Sequence, residues 1–126
     1  MTKIVISTQN APAPVGAYNQ AIVTGNLIFV SGQIPLDPDT GELIDGDFKA
    51  RCNRVLENLK AIVESAGSSI DKIVKTNVYL TDLSNFSEVN ETYAEFFKYD
   101  PPARAAVEVS KLPLGVDIEI ECIAEL

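Results

Sequence analysis

The sequence predicts an α+β domain in which two helices cover one face of a mixed β-sheet. Two stretches carry apolar residues at spacings of three and four, as amphipathic helices do, and six short stretches are patterned as strands. No internal repeat, low-complexity tract or linker divides the 126 residues. The predicted order is β-β-β-α-β-α-β-β in a single domain, residues 1–126, because two helices on one sheet face form a stable pair of layers.

The N-terminal part of the chain alternates predicted strands with turn-rich segments. Residues 3–7 form a short predicted strand, and the Pro- and Gly-containing segment 9–16 cannot hold a regular element. The strand 22–24 turns at a Gly-Asn hairpin signal into the return strand 27–31. This return strand is apolar on both faces, which favours a central position in the sheet. Residues 32–46 are predicted to be a loop.

Two stretches predict helices, with a strand over residues 70–81 between them. The first helix follows Asp47, a predicted N-cap, and ends at Gly67. Asn85 and Glu88 resemble a capping box at the start of the second helix. The apolar stripes of the two helices are Phe48, Cys52, Val55, Leu56, Leu59, Ile62, Val63 and Ala66 in the first, and Phe86, Val89, Tyr93, Phe96 and Phe97 in the second.

Two C-terminal stretches, residues 101–109 and 115–124, are rich in β-branched and small apolar residues and are predicted to be strands. Alternation puts Arg104 on the polar face of the first strand and Glu119 on the polar face of the second. If the two strands pair as a hairpin, the arginine and the glutamate share one face away from the core. A face of this mixed character suits solvent or the inside of an oligomer.

The charge of the chain disfavours several classes of partner. The formal net charge is −8, and no run of lysine and arginine forms a basic patch. An acidic surface repels the phosphate backbone of nucleic acids and anionic membranes. No apolar run is long enough to span a bilayer, so no membrane association is predicted.

The chain contains no histidine, which limits the chemistry it can perform. A Ser-His-Asp triad, a Cys-His dyad and a histidine-ligated metal are therefore excluded, and two cysteines seventy residues apart do not make a metal cluster, so no metal is predicted. Cys52 and Cys122 both fall on apolar faces, which indicates buried free thiols in a reducing compartment, the cytoplasm. Any reaction must rely on Arg, Glu, Asp, Tyr, Ser, backbone groups and water.

Arg104 and Glu119 are the two strongest candidates for a functional site. A guanidinium on a half-buried strand presents a planar fork that suits a carboxylate ligand. The alternative is a structural ion pair between Arg104 and either Glu108 or Glu119. Glu119 could act as a general base if burial raises its pKa, and the alternative is an ordinary residue on the polar face of a strand.

Four further residues are weaker candidates. Gly32 directly follows the central strand and either marks a bulge or lets a ligand approach a backbone amide. Tyr18 could offer a hydroxyl to a ligand or simply pack its loop. Ser31 has no histidine to activate it, so its predicted role is binding or positioning water. Asn90 lies beside the apolar stripe of the second helix and is predicted to be nearly buried and hydrogen-bonded to another element or subunit.

Several of these residues occur together in motifs, and in them the sequence resembles the Rid family, the reactive intermediate imine deaminases. This family has long been labelled as L-PSP endoribonucleases or translation inhibitors. The resemblance runs from about Lys3 to Ala124. It rests on Ala11-Pro12 with Gly16-Ala17-Tyr18-Asn19-Gln20-Ala21, Val30-Ser31-Gly32-Gln33-Ile34-Pro35, Asn85-Phe86 with Val89-Asn90 and Tyr93, Pro102-Ala103-Arg104-Ala105-Ala106-Val107, and Leu112-Pro113 with Ile118-Glu119-Ile120-Glu121.

The resemblance implies a chorismate-mutase-like fold, assembled as a homotrimer with ligand clefts between subunits. It implies hydrolysis of 2-imino acids, such as 2-iminobutanoate and 2-iminopropanoate from pyridoxal-phosphate enzymes, to 2-keto acids and ammonia, without a cofactor. Arg104 would then hold the substrate carboxylate, and Glu119 would orient the attacking water. Members often have a cysteine where Ala106 stands. The other implied site residues are the backbone amides of Gly32 and Ala106, the cleft-lining Tyr18 and Ser31, and Asn90 near the interface.

Two other functions compete with imine hydrolysis. The older family label implies an endoribonuclease that represses translation, although the negative charge and the lack of histidine disfavour RNA binding and acid-base cleavage. The second alternative is a non-catalytic trimer that binds small carboxylates or acts as a chaperone-like scaffold. Acceleration of ammonia release distinguishes an enzyme from such a binder.

Overall fold

A single six-stranded sheet in the order β1-β2-β3-β6-β4-β5 organises the chain. The computed structural model describes residues 2–126. β4 and β5 are parallel, and all other neighbouring strands are antiparallel. The strands are β1 (Ile4–Ile6), β2 (Ala21–Thr24), β3 (Leu27–Gln33), β4 (Ile73–Leu80), β5 (Ala103–Glu108) and β6 (Ile118–Glu125).

Two helices, α1 (Phe48–Ser65) and α2 (Phe86–Phe96), cover one face of this sheet and confirm the predicted order of elements. Their apolar stripes and the inward residues of β3, β4 and β6 form one buried cluster. Ile28, Leu56, Ile62, Val78 and Ile120 are fully buried in it. No helix among residues 2–126 is long and apolar enough to cross a bilayer.

The predicted hairpin between the two C-terminal strands is wrong. β6 lies between β3 and β4, where its apolar face, from Ile118 to Ala124, is completely covered. β5 instead joins the free edge of β4, and its parallel direction requires the crossover that α2 supplies. The small side chains of β5 suit an edge strand, whereas the longer apolar face of β6 requires a central position.

The face assigned to Arg104 is also wrong. Arg104 and Ala106 point toward α2 and are half-buried, whereas Ala103, Ala105 and Val107 are exposed on the uncovered face of the sheet. The predicted alternation is correct, but its two faces are exchanged. Alanine is a weak marker of burial, and the arginine is covered because the aromatic rings of α2 can stack on its guanidinium.

The helix caps confirm one prediction and correct another. The Asp47 side chain accepts a hydrogen bond from the Ala50 amide at 2.9 Å, as predicted for the N-cap of α1. Asn85 makes no such bond at the start of α2. Asp82 takes that role one turn earlier, where its carboxylate accepts from the Ser84 amide at 2.9 Å in a short 3₁₀ turn that leads into the helix.

An ion pair fixes the entry to β6. Arg51 of α1 donates to both carboxylate oxygens of Asp117, at 3.0 and 2.6 Å, and to the carbonyl oxygen of Gly46 at 2.6 Å. Bidentate pairs of this kind have a defined geometry. Because Asp117 directly precedes β6, this contact sets the position of the strand that carries Glu119.

Candidate functional site

A cavity of about 290 Å³ lies at the uncovered side of the sheet and contains one group of the candidate residues. Glu119 of β6 and Gly32 of β3 line it, together with Tyr18 from the loop before β2. Most of the other lining residues are apolar, namely Pro12, Ala13, Val15, Ile34, Leu36 and Pro113. The cavity therefore offers a carboxylate and a phenol at the edge of an apolar wall.

Gly32 is required for the position of Glu119. The pairing of β3 with β6 shifts register between Val30 and Gln33, so Gly32 lies in the bulge that the sequence allowed as one alternative. A Cβ atom added at Gly32 would lie 2.0 Å from Oε2 and 2.8 Å from Cδ of Glu119. The carboxylate thus lies directly against the Cα of the glycine, in space that any other residue would fill.

The environment of Glu119 raises the pKa of its carboxyl. Burial raises the pKa of this carboxyl above its ordinary value, and the nearby negative charge of Glu121 raises it further. A carboxylate in such a site takes up a proton more readily than one in water, which is the property of a general base. Burial thus raises the pKa of Glu119, which is the condition stated above for its role as a general base.

Tyr18 and Ser31 lie near this cavity but differ in their contacts. The Tyr18 hydroxyl accepts a hydrogen bond from the Val15 amide at 3.3 Å, and its ring is part of the cavity wall. The Ser31 hydroxyl donates to the carbonyl oxygen of Asn19 at 2.6 Å. Ser31 is not among the residues that line the cavity, and its hydroxyl ties β3 to the loop that carries Tyr18.

Gln20 organises this loop, although no role was predicted for it. Its side chain is 3% exposed; its Oε1 accepts from the Thr8 amide at 2.7 Å, and its Nε2 donates to the carbonyl oxygens of Thr8, Ala11 and Pro12 at 3.0, 3.2 and 2.9 Å. These bonds replace the partners that the backbone of an irregular segment lacks. The position of Gln20, between a Pro-rich segment and an apolar strand, is the sequence feature that could have indicated this role.

We expect Gln20→Ala to destabilise the protein by about 2 kcal/mol, because it leaves part-buried backbone groups without partners. Chemical denaturation measures this loss, and hydrogen exchange should show faster exchange at the Thr8 amide. Gln9→Ala is the matched control, since Gln9 is exposed in the same segment. Equal stability of the two variants would contradict the role given to Gln20.

The second group of candidate residues surrounds a more open cavity of about 410 Å³ beside α2. Its lining residues are Asn90, Tyr93, Ala94, Pro101, Pro102 and Arg104. The guanidinium carbon of Arg104 lies 4.9 Å from the ring centre of Phe86 and 5.0 Å from that of Tyr93. Contacts of this kind hold the flat guanidinium against the rings and leave its N–H groups available to a ligand.

The predicted burial of Asn90 is wrong for the subunit by itself. Asn90 is exposed and borders the Arg104 cavity, while its neighbour Val89 takes the fully buried position on α2. Tyr93 is buried, and its hydroxyl donates to Oγ1 of Thr76 at 2.8 Å. Burial raises the pKa of Tyr93 to about 12, so the ring under Arg104 stays neutral and fixed.

Arg104 forms no ion pair with another described residue of the subunit. Within residues 2–126, the ion pairs join Lys49 to Glu95 and Arg51 to Asp117. The alternative pairings of Arg104 with Glu108 or Glu119 are therefore not formed. Glu108 instead accepts a hydrogen bond from the Leu83 amide at 3.0 Å.

The two groups of residues lie on opposite faces of the sheet. Arg104 points toward α2 from the edge strand β5, whereas Glu119 lies on the uncovered face of β6, with β4 between the two strands. A single subunit therefore does not bring the guanidinium and the carboxylate together. The residues that the structure describes also contain no cluster of three or more metal-ligating side chains.

Comparison with known proteins gives consistent matches over almost the whole chain. The model of the family described as endoribonuclease L-PSP matches residues 8–126. A RutC family protein of Pyrococcus abyssi is 56% identical over 124 residues, which cover 98% of each chain. The crystal structure of RidA from a Psychrobacter species is 49% identical, covers 98% of this chain and 99% of its own, and has a TM-score of 0.94. The structure of Escherichia coli TdcF with bound serine is 43% identical, covers 98% of both chains and also has a TM-score of 0.94.

Proposed function

The chain belongs to the endoribonuclease L-PSP family, also known as the Rid family, and we propose that it hydrolyses small 2-imino acids to 2-keto acids and ammonia. The observation that carries this proposal is the guanidinium of Arg104, which is stacked on two aromatic rings, takes part in no ion pair among the described residues, and borders a cavity. Its planar fork fits the carboxylate common to such substrates. The TdcF relative was crystallised with serine, an amino acid of similar size.

The proposed active unit is a homotrimer, with each cleft formed between two subunits. The separation of Arg104 and Glu119 on opposite faces supports this assembly, because a neighbouring copy can bring the two groups to one ligand. The uncovered sheet face also supports it. Phe29 is 43% exposed and Val107 46% exposed there, next to polar groups that an interface could pair.

In the proposed reaction, Arg104 holds the substrate carboxylate, with help from the Ala106 amide and Asn90 beside it and from the Gly32 amide on the side of the cleft that carries Glu119. Tyr18 and Glu119 approach from the other side of the cleft. A water molecule attacks the iminium carbon as Glu119 accepts its proton, and the C=N electron pair moves to nitrogen. Glu119 then passes this proton to nitrogen, ammonia leaves, and Glu119 accepts the proton of the hydroxyl oxygen as the 2-keto acid forms.

This chemistry agrees with the composition of the chain. An iminium carbon is already electrophilic, so the protein has to position water and substrate more than it has to create a nucleophile. No cofactor is needed. We propose the cytoplasm as the compartment, and the two free buried thiols, Cys52 and Cys122, support a reducing environment.

The proposal is tested by generating 2-iminopropanoate or 2-iminobutanoate in the assay with a serine or threonine dehydratase. Addition of the purified protein should accelerate release of ammonia and 2-keto acid above the spontaneous rate. Binding of 2-ketobutyrate without any acceleration would identify a carboxylate-binding protein and contradict the proposed enzyme.

We expect Glu119→Gln to slow imine hydrolysis by roughly 10²-fold or more, because the amide cannot accept the proton of the attacking water. Binding of 2-ketobutyrate, measured by calorimetry, should change little, because the carboxylate clamp is on the other half of the cleft. Glu64→Gln on the exposed face of α1 is the isosteric control. Loss of keto-acid binding in Glu119→Gln would show that Glu119 has a structural role.

A second candidate function, endoribonuclease activity, is favoured by the name of the family, endoribonuclease L-PSP. The net charge of −8 and the absence of histidine act against it, because RNA cleavage usually needs both phosphate contacts and an acid-base pair. RNA cleavage that follows the purified protein and disappears in Arg104→Ala would favour this function instead.

A further inference from the structure

A second carboxylate, that of Glu121, lies beside Glu119 on the uncovered face of the sheet. Both residues are on β6, two positions apart, so their side chains point to the same side. Tyr79 of β4 is the direct cross-strand partner of Glu119. Its hydroxyl nevertheless donates a hydrogen bond to Oε1 of Glu121, and the Asn77 amide nitrogen lies 3.5 Å from the same oxygen.

Each element around Glu119 contributes a defined set of groups. β3 contributes Gly32, which has no side chain, and the loop before β2 contributes the phenol of Tyr18. β4 contributes Tyr79, and Glu119's own strand contributes Glu121. Lys75 of β4 is opposite Ile123, four positions along β6 from Glu119. Arg104 is on the other face of the sheet. Within one subunit, the charged group that acts on Glu119 is therefore Glu121; in the proposed trimer a neighbouring Arg104 also faces the cleft, and it is the same in all the variants compared below.

We propose that Tyr79 and Glu121 form a positioning pair that fixes a negative charge next to Glu119 and so makes Glu119 a better proton acceptor. The inference rests on the proposed function for its use in catalysis, but the effect on Glu119 is a property of the protein alone. Neither Tyr79 nor Glu121 lines the Glu119 cavity, so the pair acts through Glu119 and not on the substrate.

The chemistry of the pair supports this arrangement. The hydrogen bond to Glu121, followed by burial, raises the pKa of Tyr79 to about 12, so the hydroxyl remains a donor at neutral pH. A hydroxyl that always donates holds the Glu121 carboxylate in one place. A fixed carboxylate disfavours a second negative charge close by and thereby increases the affinity of Glu119 for a proton.

The test is a carbon-13 NMR titration of the Glu119 carboxyl in the assembled protein, which needs no substrate. Glu121→Gln should shift the titration midpoint of Glu119 to lower pH, and Tyr79→Phe should shift it in the same direction by a smaller amount. Glu125→Gln is the matched control, because it removes the same charge from the same strand. Glu125 is about 20 Å from Glu119 along β6, where salt screening makes the interaction between the two carboxylates negligible.

The pH dependence of imine hydrolysis provides the second measurement. The acidic limb of the rate profile should move to lower pH in Glu121→Gln, and the rate at the plateau should fall because Glu119 has become a weaker base. If Glu119 titrates at the same pH in Glu121→Gln as in Glu125→Gln, the proposed role of Tyr79 and Glu121 is contradicted. A shifted midpoint in a protein that hydrolyses no imine would leave the pair intact and contradict the proposed function.

Discussion

Arg104→Ala is expected to lower kcat/KM for 2-iminopropanoate by about 10²- to 10³-fold, because a charge-assisted pair of hydrogen bonds to the substrate carboxylate is lost. The subunit should still fold, since Arg104 makes no ion pair within the described residues and its neighbours Phe86 and Tyr93 remain packed on the core. Both kcat/KM and the affinity for 2-ketobutyrate should fall together. A coupled ammonia assay and calorimetry measure the two quantities.

Arg104→Lys tests whether geometry matters in addition to charge. Lysine keeps the positive charge but lacks the planar fork and stacks poorly on the aromatic rings, so we expect only partial recovery. Lys98→Ala removes one exposed positive charge from the segment after α2 and serves as the control. Full activity in Arg104→Ala, with the oligomer intact, would contradict the carboxylate clamp.

Gly32→Ala is the second change expected to have a large effect. The new Cβ would lie 2.0 Å from Oε2 of Glu119, so the carboxylate must leave its position. Imine hydrolysis should fall roughly as far as in Glu119→Gln, by about 10²-fold. The side chain of Glu119 can rotate toward the open cavity, so thermal stability should fall much less than activity.

A double-mutant cycle separates this displacement from a general effect on the strand. In a Glu119→Ala background the carboxylate is absent, and Gly32→Ala should then add no further loss of activity. Gly16→Ala is the control, since its Cβ would meet only the Tyr18 ring at an ordinary 3.6 Å. Additive losses in the cycle would mean that Gly32 acts through its backbone alone.

The sequence predicted the elements of the fold well but not their neighbours in the sheet. Seven apolar residues at helical spacing are buried within α1, and an aspartate caps its start, so local signals determine this helix. The order of strands depends on which edges remain free, and β5 and β6 are close in sequence. Adjacent strands usually pair, and this preference led to a hairpin that the crossover through α2 replaces.

The sequence suggested the candidate residues one by one, but it did not predict that they lie in two groups on opposite faces of the sheet. Small alanines on both sides of Arg104 give no clear inner face, so the side of β5 that α2 covers could not be determined from alternation. The contact between Gly32 and Glu119 depends on the bulge between two strands more than eighty residues apart in sequence. The role of Gln20 was not predicted, because its four hydrogen bonds are made to a loop without regular structure, which has no sequence pattern.

The placement of Arg104 and Glu119 on opposite faces of the sheet has a genetic consequence. In the proposed assembly, every cleft takes its clamp from one copy and its base from the next. Two alleles, one damaged at each residue, would therefore complement each other when expressed in the same cell, since mixed trimers contain intact clefts. Neither allele alone would support growth that depends on this reaction.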